Sequence, residues 1–439
     1  MNRYKQFIFE SYDYDANTHT ATFNYSLDGT LHFTETFRFN AAHAPYNPAL
    51  LDRTLQLLFF MAGVSYYKTY IPAEIIIRQG EMDDHMAAFF GKTYQRGLGE
   101  FWFVNKLDPH TPVTFPTTIP RADTITGGTP GHGMLVGIGG GKDSLVSVEL
   151  LRPHVQGLTT WSVDHQSQLE PLITRIGTPH VWVDRTWDRT LLEVGKDGAL
   201  NGHIPISAIF ACAGIVAAVL SGKRDVVVSN EHSANEPDFV YQGVAINHQY
   251  SKSQEFEADF QKLLNHLFDD QLRYYSFLRP LSEMHIAEVF AKNNFEKYHD
   301  VFSSCNRAFV HTSDSMSWCG TCPKCAFVYL MFATFIPEEQ LTALWGGKNL
   351  LLDPALEPLY RQLLGIEGGK PLDCVGEIKE SRSAMRLAQT MYPQLAETYQ
   401  FDIPDDYDYR ALASHHMPAD VYHYLISGLR HQPQAAPHE

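Results

Sequence analysis

The chain has 439 residues, of which 44% are hydrophobic and 13% aromatic, enough for packed cores and incompatible with global disorder, and that length predicts two or three domains. A formal net charge of −16 argues against a surface that displaces counterions from nucleic acid and in favour of a small-molecule substrate. No apolar run is long enough for a membrane span, and Met1-Asn2-Arg3-Tyr4-Lys5-Gln6 leads into strand-like sequence rather than a signal-peptide core, so a cytoplasmic location is expected.

In the first forty residues apolar positions recur at every second residue, as in Gln6-Phe7-Ile8-Phe9 and Thr20-Ala21-Thr22-Phe23, and Asp28-Gly29 marks a turn. This pattern predicts an antiparallel meander with one buried face. Helices are expected near 48–62, with Asn47 as N-cap ahead of Pro48, and near 82–95. A stretch rich in Pro, Thr and Gly from about 105 to 132 is a linker or an ordered surface connection, and a domain boundary is placed there.

From Met134 strands and helices alternate. Met134-Leu135-Val136-Gly137-Ile138 is a wholly apolar run suited to a strand buried on both faces. Further strands are expected at 158–163, 179–183 and 225–229, with helices near 166–176 and 205–221. Repeated β-α units predict an α/β fold with a doubly wound parallel sheet. Beyond 256 the sequence reads as mostly helical. The expected division is an N-terminal α+β domain over 1–125, a nucleotide-binding domain over 130–255, a helical region over 256–430 and a disordered polar tail over 431–439.

Gly139-Gly140-Gly141-Lys142-Asp143-Ser144 follows the apolar strand and opens a helix. Glycines there let backbone amides approach a phosphate, and the helix adds its unpaired N–H groups. Lys142 supplies a positive charge and Ser144 a hydroxyl, and Asp143 either holds Mg²⁺ or organises the loop. The spacing is not that of a Walker A motif. It resembles the Ser-Gly-Gly-x-Asp-Ser loop of the ATP-pyrophosphatase (PP-loop) family, with Gly139 in place of the first serine. That likeness implies ATP cleaved to AMP and diphosphate. Asp164, Asn230 and Glu231 end strands at the same sheet edge and are candidate nucleotide or metal contacts, although a helix N-cap would also account for Asp164. His203, ahead of Pro205, is either a proton-transfer group or a surface cap.

Four of the six cysteines, Cys305, Cys319, Cys322 and Cys325, crowd into one stretch. Four thiolates close a tetrahedral Zn²⁺ site without an open position, so a structural zinc is expected, ahead of an iron–sulfur cluster. Cys212 lies in an apolar helix and reads as core. Cys374, in Asp373-Cys374-Val375-Gly376-Glu377, is either structural or an acid/base thiol.

Several phrases then converge. Gly63-Val64-Ser65-Tyr66-Tyr67-Lys68, Gly97-Leu98-Gly99-Glu100-Phe101 and the phosphate loop are followed by Asn201-Gly202-His203-Ile204-Pro205 and Ser229-Asn230-Glu231. Next come Asn247-His248-Gln249-Tyr250-Ser251-Lys252-Ser253, Ser304-Cys305-Asn306-Arg307 and Trp318-Cys319-Gly320-Thr321-Cys322-Pro323-Lys324-Cys325. In this order, over about residues 5 to 390, the chain resembles the bacterial UDP-N-acetylmuramoyl-L-alanyl-L-glutamate epimerases of peptidoglycan synthesis.

The resemblance implies a PP-loop fold and inversion of the terminal L-glutamate with ATP and Mg²⁺. On that footing His203, His248, Lys252 and Cys374 are candidates for proton transfer, and Lys68 and Arg307 for pairing with a substrate carboxylate or phosphate. Two other classes fit parts of the pattern. One is an amidating ligase or 7-cyano-7-deazaguanine-synthase-like enzyme, and the other a non-catalytic, zinc-stabilised nucleotide-binding regulator. No oligomeric state follows from the sequence.

Overall fold

The computed structural model describes residues 3–40, 44–126, 131–309, 316–404 and 407–430. The polar tail expected over 431–439 lies outside the described residues. Among the described residues no helix is long and apolar enough to cross a membrane.

The described residues form eleven strands: β1 (Gln6–Asp15), β2 (Thr20–Leu27), β3 (Leu31–Asn40), β4 (Glu74–Ile77), β5 (Met134–Gly137), β6 (Thr159–Val163), β7 (His180–Thr186), β8 (Asp225–Val228), β9 (Phe239–Tyr241), β10 (Val244–Ile246) and β11 (Arg273–Ser276). Nine of them form one sheet in the order β11-β8-β5-β6-β7-β3-β2-β1-β4, and β9 and β10 form a separate hairpin. β11, β8, β5, β6 and β7 pair in parallel. The meander β1-β2-β3 is antiparallel, as its alternation implies.

The two halves meet where β3 runs antiparallel to β7, with Phe39 opposite Val183. At this seam the Arg185 guanidinium reaches Glu35 Oε1 (2.5 Å) and Ser65 Oγ (3.0 Å). Glu35 is fully buried, so removing either charge of this pair would cost about 3–5 kcal/mol. The meander is thus an extension of the same sheet.

Helices cover both faces. Lys142–Leu151 and Gln166–Ile176 pack on one side together with Glu283–Asn293 and Pro323–Phe332. Pro48–Ala62, Ile206–Leu220 and Gln254–Phe268 pack on the other, against the meander. Asn47 caps the first of these, accepting from Ala49 N, with Pro48 in its first turn. Cys212 is buried within this second core, as its apolar surroundings require.

The described part of the Pro/Thr/Gly-rich connection is tied down rather than loose. Thr118 N and Ile119 N donate to Met82 O, Ala122 N to Asp83 Oδ2 and Ile125 N to Leu267 O. The region beyond 256 is largely helical but also supplies β11 to the sheet edge. Arg273-Tyr274-Tyr275-Ser276 is too short to show a period by itself. It is held as a strand by pairing with β8 and by Arg273 on Asp225 (2.7 and 2.8 Å).

Candidate active site

The parallel strands change direction of connection between β5 and β8, which opens a crevice at their carboxyl ends. β5 leaves the sheet into Ile138-Gly139-Gly140-Gly141 and enters the helix at Lys142, with Gly141 as its N-cap residue. Gly140 has φ +91°, and a Cβ there would lie 2.7 Å from Met316 Sδ, so only glycine fits the turn. A cavity of about 400 Å³ opens beside the loop, lined among others by Gly139, Trp161, Asp164, Phe210, Asn230 and Phe309. Its apolar aromatic wall and polar rim suit a flat, partly polar ring. Asp164 takes φ +56° and accepts from Arg185 N (2.7 Å). It therefore points away from a capping role, and His165 is the N-cap residue of the following helix.

Below the loop acids and lysines alternate. Lys142 is fully buried and donates to Asp143 Oδ1 (2.5 Å) and to Glu283 Oε2. Burial works against its charge, yet Asp143 and Glu283 more than offset this and raise its pKa. Glu283 also meets Lys324 (3.5 Å). Burial, Glu283 and Asp143 push the Glu231 carboxyl up, so this corner is crowded with acid that an added cation would relieve. Ser144 Oγ turns back to Gly141 O (3.2 Å).

The second group lies around Cys374. Lys252 Nζ is 3.0 Å from Cys374 Sγ, and His248 donates from Nδ1 to Asp238 Oδ2 (2.8 Å). Burial would raise the Cys374 thiol, but Lys252, His248 and Lys324 pull it down to about 6. Burial also opposes charge on His248, while Asp238 and Cys374 outweigh it and push it up to about 9. Lys252 is raised as well, with Cys374 and Glu231 overcoming burial. Near neutral pH the trio is therefore thiolate, imidazolium and ammonium. A thiolate of that kind is an available base, whereas Lys252 holds its proton and acts as a charge partner.

His203 differs from His248. Burial, then His248, Lys252 and Lys68, lower it to about 4, so it is neutral. Its Nδ1 lies 3.5 Å from Glu100 Oε2 and its ring 6.4 Å from that of His248. Lys68 donates to Asn201 Oδ1 (3.1 Å) and Gly202 O (2.5 Å), holding the turn that presents His203. Burial and Arg185 lower Lys68 to about 8. Arg307 is exposed, and its backbone N–H donates to Cys305 Sγ (3.4 Å).

The sulfurs of Cys305, Cys319, Cys322 and Cys325 all lie within 4.8 Å of one another, with Cys305–Cys322 and Cys319–Cys325 both at 3.8 Å. Tetrahedral Zn–S bonds of about 2.3 Å put sulfurs about 3.8 Å apart, so this cluster can bind a zinc ion. Among the described residues it is the only group of three or more metal-type ligands that converges so closely. Asp143 and Glu231 do not form such a group. The knuckle reaches the site through Lys324, between two of the cysteines, which donates to Cys374 O. Asn306, beside Cys305, donates to Asp373.

The MurL N-terminal domain model matches residues 1–277, and the MurL C-terminal domain model matches residues 301–398. The chain belongs to the MurL family. A relative from Salinispora tropica is 39% identical over 396 residues, covering 88% of this chain and 85% of that protein. One from Micromonospora is 38% identical, covering 88% and 87%, and one from Xanthomonas oryzae pv. oryzae is 38% identical, covering 85% and 83%. All three are named UDP-N-acetyl-alpha-D-muramoyl-L-alanyl-L-glutamate epimerase.

In this MurL chain Lys142, Asp143 and Glu231 gather at the loop, and His203, His248, Lys252 and Cys374 gather beyond it. Lys68 stands behind this second group and Arg307 stands apart at the surface. Sequence reasoning missed Glu283, Lys324, Asp238 and Glu100 as members. Lys324 stood inside the cysteine phrase and Glu100 inside a quoted glycine phrase. Glu283 and Asp238 carried no chemical signal, since each looked like an ordinary acid at a helix start or in a loop.

Proposed function

We propose that this protein is an ATP-dependent epimerase that inverts the terminal L-glutamate of UDP-N-acetylmuramoyl-L-alanyl-L-glutamate to D-glutamate. The family membership and the names of three relatives matched over most of their length support the substrate and the outcome. The observation that carries the chemistry is the Lys252 ammonium 3.0 Å from the Cys374 sulfur, in a chain whose glycine-lined, Lys142-bearing loop we read as being of PP-loop type.

An α-proton beside a free carboxylate is very weakly acidic, because its removal would place two negative charges on adjacent atoms. In our reading that carboxylate attacks the α-phosphorus of ATP, diphosphate leaves, and the acyl-adenylate carries no charge next to the α-carbon. The Cys374 thiolate then takes the α-proton, and the His248 imidazolium supplies the returning proton, which neutral His203, backed by Glu100, relays to the other side by accepting at one ring nitrogen and giving from the other. Water cleaves the adenylate and AMP leaves with the inverted carboxylate. Lys142 and the loop amides stabilise charge on the phosphates. Asp143 and Glu231 would hold Mg²⁺ together with phosphate oxygens, a division usual for that ion. The four cysteines would hold a structural zinc that fixes the Cys374 loop through Lys324 and Asn306. The remaining partners are small molecules, the expected location is the cytoplasm, and Lys68 and Arg307 remain proposed contacts for substrate anions.

The test is direct. Purified protein with the UDP-muramoyl dipeptide, ATP and Mg²⁺ should release diphosphate and AMP, and acid hydrolysis should yield D-glutamate. Diphosphate release without any D-glutamate would remove the epimerase reading and direct attention to amine acceptors.

A further inference from the structure

Arg279 follows β11 and is fully buried, yet it touches none of the proposed reacting groups. Its guanidinium makes four hydrogen bonds. Nη1 donates to Glu231 O (2.7 Å), Nη2 to Lys252 O (2.6 Å), and Nε and Nη2 to Glu257 Oε2 (3.2 and 3.0 Å). Glu257, 1% exposed, stands in the first turn of Gln254–Phe268 and supplies the counter-charge.

The two carbonyls belong to residues that serve different groups of the site. Glu231 follows β8 at the phosphate loop, and Lys252 closes the single turn Tyr250–Lys252 and presents its ammonium to Cys374. We infer that Arg279 is a positioning residue: its planar fork fixes the backbones of Glu231 and Lys252 relative to each other and so holds Lys252 against Cys374. A guanidinium can do this because its donors leave in fixed directions in one plane, whereas an ammonium is a point charge on a flexible stem. The Glu257 partner makes the buried charge tolerable and orients the plane. The kinetic consequence rests on the epimerase reading, while the structural one does not.

Arg279→Lys keeps the charge and removes the fork. The measurement is the rate of iodoacetamide labelling of Cys374, read by peptide mass spectrometry across pH on the full-length protein. The wild-type profile should have its midpoint near 6, where the surroundings set the thiol. Arg279→Lys should move it upward by about one pH unit, with a folded circular-dichroism spectrum. In the epimerase assay kcat should fall while KM for ATP and dipeptide stays within about twofold, the pattern of a lost transition-state interaction. Glu257→Gln frees the guanidinium of its partner but leaves both carbonyl bonds possible, and should give a smaller shift in the same direction. It serves as the informative variant if Arg279→Lys does not fold. A folded Arg279→Lys, or in its place a folded Glu257→Gln, with an unchanged Cys374 profile would overturn the assignment. Absence of epimerase activity in the wild type would instead count against the function proposed above and leave the labelling result standing.

Discussion

The glycine loop at 139–144 and the Cys374 group are built in opposite ways. The loop is six consecutive residues whose geometry is set locally, by a strand end, glycine torsions and a helix start. The Cys374 group draws His203, Asp238, His248, Lys252, Lys324 and Cys374 from loops, a short turn and a helix start spread over more than 170 residues. A loop of this kind takes most of its backbone geometry from its own sequence. A group assembled from distant segments can instead set the protonation of each member through the others, which base chemistry at neutral pH requires.

If the two regions are chemically separate, Cys374→Ala should lower D-glutamate formation by about a hundred- to ten-thousand-fold while ATP–diphosphate exchange persists. Equal loss of both activities would make them one unit. Lys142→Ala should abolish both, and it should also destabilise the fold by about 3–5 kcal/mol because Glu283 and Asp143 lose their buried counter-charge. Urea unfolding separates these effects, and an unchanged midpoint would contradict the ion-pair account.

Cys322→Ser should abolish metal binding by elemental analysis and lower the melting temperature. It should slow epimerisation more than diphosphate exchange, because the knuckle reaches Cys374 through Lys324. The ionic pair of Cys374 and His248 exists above the thiol value, about 6, and below the imidazolium value, about 9. Epimerisation should therefore follow a bell between those limits. His248→Asn, which removes a positive neighbour, should shift the acid limb upward by about one unit. The smallest effect is expected for Lys68→Met. It loses two hydrogen bonds to the turn before His203, worth about 1–3 kcal/mol together, and should alter epimerisation a few-fold without touching diphosphate exchange.

Patterns with a short period were legible. The alternation of Thr20–Leu27 and Leu31–Asn40 marked the meander, and Asn47-Pro48 marked a helix start. The glycines and Lys142 marked the loop, and cysteine spacing marked the metal-type cluster. The pairing of β3 with β7 was not legible, since both strands have ordinary alternating or apolar sequence and the Glu35–Arg185 contact at their seam joins residues 150 positions apart. The same holds for β11, a four-residue strand in a helical neighbourhood.

By itself the sequence determined what depends on neighbours along the chain: the elements, the glycine turn, the knuckle spacing and, through whole phrases, the family. The tertiary structure alone decided which of two histidines is charged, that Lys252 is a charge partner and that Cys374 is a thiolate. These are properties of burial and of charges a few ångströms away, and Coulomb interactions act through space rather than along the chain.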